Sequence, residues 1–277
     1  MTDKKRVNLP FMKMHGLGND FVVVDARDQS FLASNSIIKL ISDRKRGVGF
    51  DQLAVIEKGD RHAHLVFYNA DGSTSAACGN ATRCVARYLM NESGKTELSL
   101  STNHGILRAR DVGEGYTSVN MGAPQTLWHE IPLSEDVDTL HLPLPGDPVA
   151  TNMGNPHCTF FVQNADSVDL QTCAAPIEHN QLFPQRTNVQ FASLIGDNHI
   201  RMRVWERGVG VTLASGSSSC ATVVAAVRRG LTDCNVRIDL DGGRLKVDWS
   251  NEGVWLTGPT MHVFSGRFTS EFWESST

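Results

Sequence analysis

Ala77-Cys78-Gly79 runs into Asn80-Ala81-Thr82-Arg83-Cys84, and 137 positions further on Ala214-Ser215-Gly216 runs into Ser217-Ser218-Ser219-Cys220. Turn formers crowd the approach to the first copy, in Asn69-Ala70-Asp71-Gly72-Ser73, and apolar residues take over behind both copies. Ala81, Cys84, Val85, Tyr88 and Leu89 recur at helical spacing as far as Gly94, and Cys220, Val223, Val224 and Val227 do so as far as Gly230. The spacing predicts two helices, one starting at Cys78 and one at Ser215.

Other pairs keep almost the same displacement. Gly18-Asn19 returns as Gly154-Asn155 after 136 positions, and Gly105-Ile106-Leu107-Arg108 matches Gly243-Arg244-Leu245-Lys246 after 138. Matches in one order at a near-constant step mark an internal duplication. Short alternating runs accompany each predicted helix: Ala63 to Tyr68, Ile200 to Trp205 and Leu245 to Trp249 read as strands, the last two as antiparallel ones. The fold class is therefore α/β in two similar halves, with Trp128 to Val149, rich in proline, as a connecting excursion.

Composition narrows the function. A chain of 277 residues that is 40% hydrophobic and 20% charged is globular, with length for two domains. Its net charge of −4 gives no basic field for nucleic acid or an anionic membrane. The charged start from Asp3 to Arg6 leads into no apolar run, and no later stretch reaches the roughly 18–20 apolar residues of a spanning helix, so neither secretion nor insertion is expected. Six scattered cysteines without a Cys-x-x-Cys pair fit thiols in a reducing cytoplasm. His62 and His64, two apart on an expected strand, are a weak metal pair, and Gly16-Leu17-Gly18 and Gly47-Val48-Gly49 fall short of a phosphate loop.

The amino end of a helix offers unpaired N–H groups and partial positive charge, which lower a thiol's pKa and hold anions. Cys78 is thus a candidate thiolate, with Gly79-Asn80 behind it able to receive a carboxylate. Cys84 and Cys220 read as buried helix residues. If the halves are related by a pseudo-twofold axis, Cys78 and Ser215 oppose one another across a cleft, an arrangement that removes a proton from one face of a carbon and returns one to the other. Asn19, Asn69, Asn155, Asn188 and Arg207 then supply polar contacts for an amino acid, Arg207 by gripping a carboxylate.

His15-Gly16-Leu17-Gly18-Asn19-Asp20-Phe21, Asn69 to Ser73, Cys78 to Cys84, Gly154-Asn155-Pro156-His157, Arg186-Thr187-Asn188-Val189, Glu206-Arg207-Gly208-Val209-Gly210 and Leu256-Thr257-Gly258-Pro259 together resemble the diaminopimelate epimerases, in order from Met14 to about Gly266. The resemblance implies cofactor-independent interconversion of LL- and meso-diaminopimelate for lysine and peptidoglycan synthesis, in a cytoplasmic homodimer with a small amino-acid substrate. It implies an α+β architecture, each half a mixed, mostly antiparallel sheet wrapped around a central helix, with halves at about 1–127 and 128–277 and a closing strand near 262–277 returning to the first. Cys78 resembles one of two catalytic cysteines, with His157 and Glu206 tuning the acid–base pair. Asn19, Gln52, Asn69, Gly79, Asn80, Asn155, Asn188, Arg207, Gly216 and Ser217 resemble the substrate-contacting set.

Ser215 departs from the pattern, standing where the family has its second catalytic cysteine; a hydroxyl ionises far less readily than a thiol of pKa about 8.5, so impaired two-base transfer is expected. Ala81 and Ser218 stand where glycines are common, adding side chains near bound substrate. Two other outcomes are compatible with the residues: a related racemase or dehydratase with one-sided proton chemistry, or a silent amino-acid-binding protein. A hydrolase using Cys78 and His157 is the remote alternative.

Overall fold

The computed structural model describes residues 8–29, 31–75, 78–103 and 105–274. The charged start from Asp3 to Arg6 and Ala77 of the repeated motif lie outside the described residues. The chain divides into two units, residues 1–119 with 259–277 and residues 120–258.

The first unit runs β1 (Pro10–Gly16), β2 (Asn19–Asp25), α1 (Asn35–Ser42), β3 (Gln52–Glu57), β4 (Ala63–Asn69), β5 (Thr74–Ser75), α2 (Gly79–Ser93), β6 (Glu97–Thr102), β7 (Gly105–Asp111) and β8 (Tyr116–Asn120). The second repeats it: β9 (Val149–Asn152), β10 (Pro156–Phe161), α3 (Leu170–Glu178), β11 (Asn188–Gly196), β12 (His199–Glu206), β13 (Gly210–Thr212), α4 (Gly216–Arg228), β14 (Asn235–Leu240), β15 (Gly243–Ser250) and β16 (Gly253–Pro259). A last strand, β17 (Met261–Arg267), and helix α5 (Ser270–Glu274) return to the first unit.

Pairing repeats with the elements. β2 lies parallel to β3 and β4 parallel to β6, as β10 does to β11 and β12 to β14. The remaining ladders, β3 with β4, β6 with β7, β11 with β12 and β14 with β15, are antiparallel. The expected duplication is thus a duplication of topology, in a mixed and mostly antiparallel α+β fold. The two Gly-Asn pairs recur because the chain turns through positive φ before β2 and before Asn155, at Gly18 (+87°) and Gly154 (+93°), where side chains are strained.

Each second helix is enclosed. Every residue of α2 from Gly79 to Ala86 is buried, and so is α4 from Ser218 to Ala226. A stretch of helix covered on all sides needs no polar stripe, which is why small and polar residues such as Thr82 and Ser219 sit buried beside the apolar ones. The alternation of the strands serves two layers. In the first unit Val22, Val24, Leu53 and Val55 join Ile37, Ile38 and Ile41 of α1 in one core, and the intervening Phe21, Val23 and Ala54 are fully buried on the other face.

The stretch from Met121 to Pro148 forms no long element, but it is tied to the second unit: Met121 donates to Val254 O (2.8 Å), and Gln125 exchanges backbone bonds with Asn152 (2.9 Å each). The pair His62/His64 needs correction. β4 starts at Ala63, so only His64 is on the strand; His62 belongs to the preceding turn, where its Nδ1 meets the Ser99 backbone and its Nε2 lies 2.9 Å from Lys95 Nζ. Among the described residues no helix is long and apolar enough to cross a membrane.

Candidate active site

Cys78 is the N-cap of α2, with extended backbone (φ −136°), and its Sγ accepts a bond from Ala81 N at 3.4 Å. The N–H groups of Gly79 and Asn80 precede the first helical bond, from Thr82 N to Cys78 O, and so stand at the positive end of the helix dipole. Asn19, the first residue of β2, faces this end: its Oδ1 accepts from Asn80 Nδ2 at 3.1 Å and lies 3.9 Å from Cys78 Sγ. Its Nδ2 donates to Asp51 Oδ2 at 2.8 Å, which fixes which end of the amide meets the thiol.

Arg44 bridges Asp51 and Asp20. Burial raises the Asp20 pKa, but the bonds from Arg44 and Lys13 outweigh it and hold that carboxyl at about 2. Gln52 and Asn69 face each other across the β3–β4 ladder, with Gln52 Nε2 3.1 Å from Asn69 Oδ1. Gly16 lets β1 close over this end, since a Cβ there would meet Arg83 Nη2 at 3.0 Å.

Ser215 occupies the equivalent N-cap of α4 with the same backbone (φ −136°), but its side chain makes no capping bond. Its Oγ donates instead to Glu206 Oε2 at 3.0 Å, and Thr212 Oγ1 donates to Glu206 Oε1 at 2.6 Å. Glu206 closes β12 as Asn69 closes β4. Asn188, the counterpart of Gln52, donates to Pro156 O (3.0 Å) and accepts from the Arg207 backbone N–H (3.0 Å). The Arg207 guanidinium reaches Gln185 O at 3.0 Å.

His157 is fully buried, and that burial, with the positive charge of Arg207 adding to it, depresses its imidazole from 6.5 to about 3. It is neutral, with Nε2 2.8 Å from Asn155 Oδ1 and Nδ1 3.0 Å from Gln190 Nε2. Gly216 and Ser217 open α4.

The sequence-predicted residues therefore form two sets. In the first unit Cys78, Gly79, Asn80 and Asn19 are in one contact group, and Gln52 and Asn69 in a second. In the second unit Ser215 contacts Glu206, His157 contacts Asn155, and Asn188 contacts Arg207, whereas Ser217 is placed only by the helix start. Sequence reasoning missed Asp51, Thr212 and Gln190, each an ordinary residue until a ladder or turn brings it to its partner. Burial, finally, raises the Cys84 thiol to about 12 and raises Cys158 as well, so these two are core residues.

The family model for diaminopimelate epimerase matches residues 11–127 and 149–263. The diaminopimelate epimerase of Rhodospirillum centenum (strain ATCC 51521 / SW) is 47% identical over 267 residues, covering 94% of this chain and 92% of the relative. The chain belongs to the diaminopimelate epimerase family. The enzyme of that name from Acidiphilium cryptum (strain JF-5) is 48% identical over 264 residues, with 93% and 95% covered.

Solved structures share the fold of this diaminopimelate epimerase family member at lower identity. The PhzF-family phenazine biosynthesis protein of Bacillus anthracis superimposes with a TM-score of 0.66 at 17% identity, covering 94% of this chain and 99% of that one. A hydroxyproline epimerase from Agrobacterium vitis, bound to trans-4-hydroxy-L-proline, does so with 0.64 at 13%, covering 95% and 91%.

Proposed function

We propose that the chain epimerises LL-diaminopimelate to meso-diaminopimelate by proton transfer between its own side chains, with Cys78 at one face of the α-carbon and Ser215 at the other. The observation that carries this reading is the equivalence of Cys78 and Ser215 as N-caps of the two enclosed helices in a duplicated member of the diaminopimelate epimerase family. One group takes the α-hydrogen as a proton, leaving its electron pair on carbon, and the other returns a proton to the opposite face. The N–H groups at Gly79-Asn80 and Gly216-Ser217 receive carboxylate, and Asn19, Gln52, Asn69, Asn155, Asn188 and Arg207 orient the substrate.

The two ends differ in strength. Cys78 has a helix dipole behind its sulfur. Ser215 has a hydroxyl whose proton points at Glu206, so the carboxylate is the base that draws on it and His157 a neutral residue that holds Asn155. Turnover is accordingly slowed at the serine face. The reading carries with it a cytoplasmic homodimer supplying lysine and peptidoglycan synthesis; a solution mass of two chains checks the first part.

The test is incubation of LL-diaminopimelate in deuterated water, following α-hydrogen exchange and stereochemistry together. Slow formation of the meso isomer with deuterium at the inverted centre supports the reading. Exchange without inversion would assign one-sided chemistry, and binding without exchange a silent amino-acid cleft; either outcome removes it.

A further inference from the structure

A closed polar cluster lies beneath the start of α4. His157 and Thr159 of β10, Gln190 of β11 and Ser218 of α4 are all fully buried. Gln190 stands beside Thr159 in the parallel β10–β11 ladder and accepts from its hydroxyl at 3.1 Å through Oε1. Its Nε2 carries two protons, directed at His157 Nδ1 (3.0 Å) and Ser218 Oγ (3.0 Å). An amide nitrogen only donates, so His157 Nδ1 is an acceptor and the single proton of the neutral ring sits on Nε2. That proton meets Asn155 Oδ1 at 2.8 Å. With its carbonyl accepting that proton, the Asn155 amide keeps its Nδ2 as the end not bound to His157.

The first unit holds its equivalent asparagine the other way round. Asn19 Nδ2 is taken by Asp51, and Oδ1 faces the helix start. The ladder and helix positions that carry the cluster in the second unit are occupied by Phe21, Val23, Ala54 and Ala81 in the first, none able to set a tautomer.

We propose that Gln190 is a positioning residue that sets the tautomer of His157 and, through it, the amide orientation of Asn155, so that this unit offers an N–H donor to the carboxylate of the substrate. The substrate half of this proposal rests on the epimerase reading above, and the tautomer half stands without it. In the opposite tautomer Nε2 would be an acceptor, Asn155 would have to donate to it, and its carbonyl oxygen would then face the carboxylate, replacing a hydrogen bond with a repulsion.

The experiment is nitrogen-15 NMR of the full chain, labelled at histidine, at neutral pH. It is paired with kinetics on LL-diaminopimelate for the native chain and for Gln190→Glu, which keeps the shape and, as a carboxylate, only accepts. The native spectrum should show His157 protonated at Nε2 with Nδ1 bare. Gln190→Glu should move a proton onto Nδ1 and raise KM by about tenfold or more, the scale of a lost hydrogen bond to a charged group, with kcat changing less. A native His157 protonated at Nδ1, or a variant whose proton moves while KM stays put, would overturn the proposal. The native spectrum decides it even where the variant does not fold. A native chain with the Nε2 proton but no binding or turnover of diaminopimelate would sink the epimerase reading and still support the tautomer half.

Discussion

The two enclosed helices rest on floors of opposite character. Under α2 the ladder positions are Phe21, Val23 and Ala54, and the helix adds Ala81, all fully buried and apolar. Under α4 the same positions are His157, Thr159 and Gln190, and the helix adds Ser218, equally buried but joined by hydrogen bonds. The backbone has conserved strand order while the chemistry of the floor has been exchanged. At the helix starts the difference continues: Cys78 caps its own helix through Sγ, whereas Ser215 leaves its helix uncapped and turns to Glu206. A duplicated frame thus holds the Cys78 thiol by its helix and the Ser215 hydroxyl by a neighbouring carboxylate.

The sharpest way to break this comparison is to remove the helix-held thiol. Cys78→Ala should lower epimerisation by about 10²–10⁴-fold or more, the usual scale of a lost general acid–base group, and should also end α-hydrogen exchange at that face. An assay in deuterated water checks both, and a variant with native exchange would show that the thiol is not the carrier.

Making the two helix starts alike is the converse test. Ser215→Cys should raise epimerisation by about tenfold at least, because a thiol restores two comparable carriers. A lower or equal rate in a folded variant would show that the second unit has moved to other chemistry.

Exchanging the floors tests the buried chemistry through stability. Ala81→Ser puts a hydroxyl at the fully buried α2 position that Ser218 occupies in α4 and should cost about 1–3 kcal/mol if it finds no partner. Denaturant unfolding measures it. A neutral result would mean that this floor tolerates polarity as the other does.

The last expected effect is a pH dependence confined to the second unit. His157 has a folded pKa of about 3 against 6.5 ordinarily, so the unfolded chain binds the extra proton between these values. Its contribution is complete above the unfolded value and is lost as pH falls, by about 1.4 kcal/mol per pH unit. Asp20, held at about 2, loses its contribution only below its ordinary 3.8. Urea midpoints at pH 5 and 6, native against His157→Gln, should show the slope flattened in the variant.

What was legible in the sequence was local. The helix starts, the Gly-Asn turns and the strands around Ala63 and Ile200 are encoded in a few adjacent residues, and their repetition gave away the duplication. The residues proposed as carriers and substrate contacts are named by motifs of the same short range. The pairings between motifs were not legible. Asp51 lies 32 residues from Asn19, and Gln190 lies 33 from His157; each meets its partner through a parallel ladder whose register no local pattern records. His62 falls just outside β4 for a different reason: alternation cannot tell the last residue of a turn from the first of a strand.

The strand β17 gives the chain an order of assembly. β17 pairs with β1 from Pro10–Arg267 to His15–Met261, and Phe268 packs against Phe11 with ring centroids 4.5 Å apart and planes tilted by 32° in the core of the first unit. The second unit, residues 120–258, is continuous and can close as soon as it is made. The first half to leave the ribosome must therefore wait for β17, made only after the whole second unit, and its β1 edge stays open to wrong partners in the interval, so vectorial synthesis favours completion of the later-made unit.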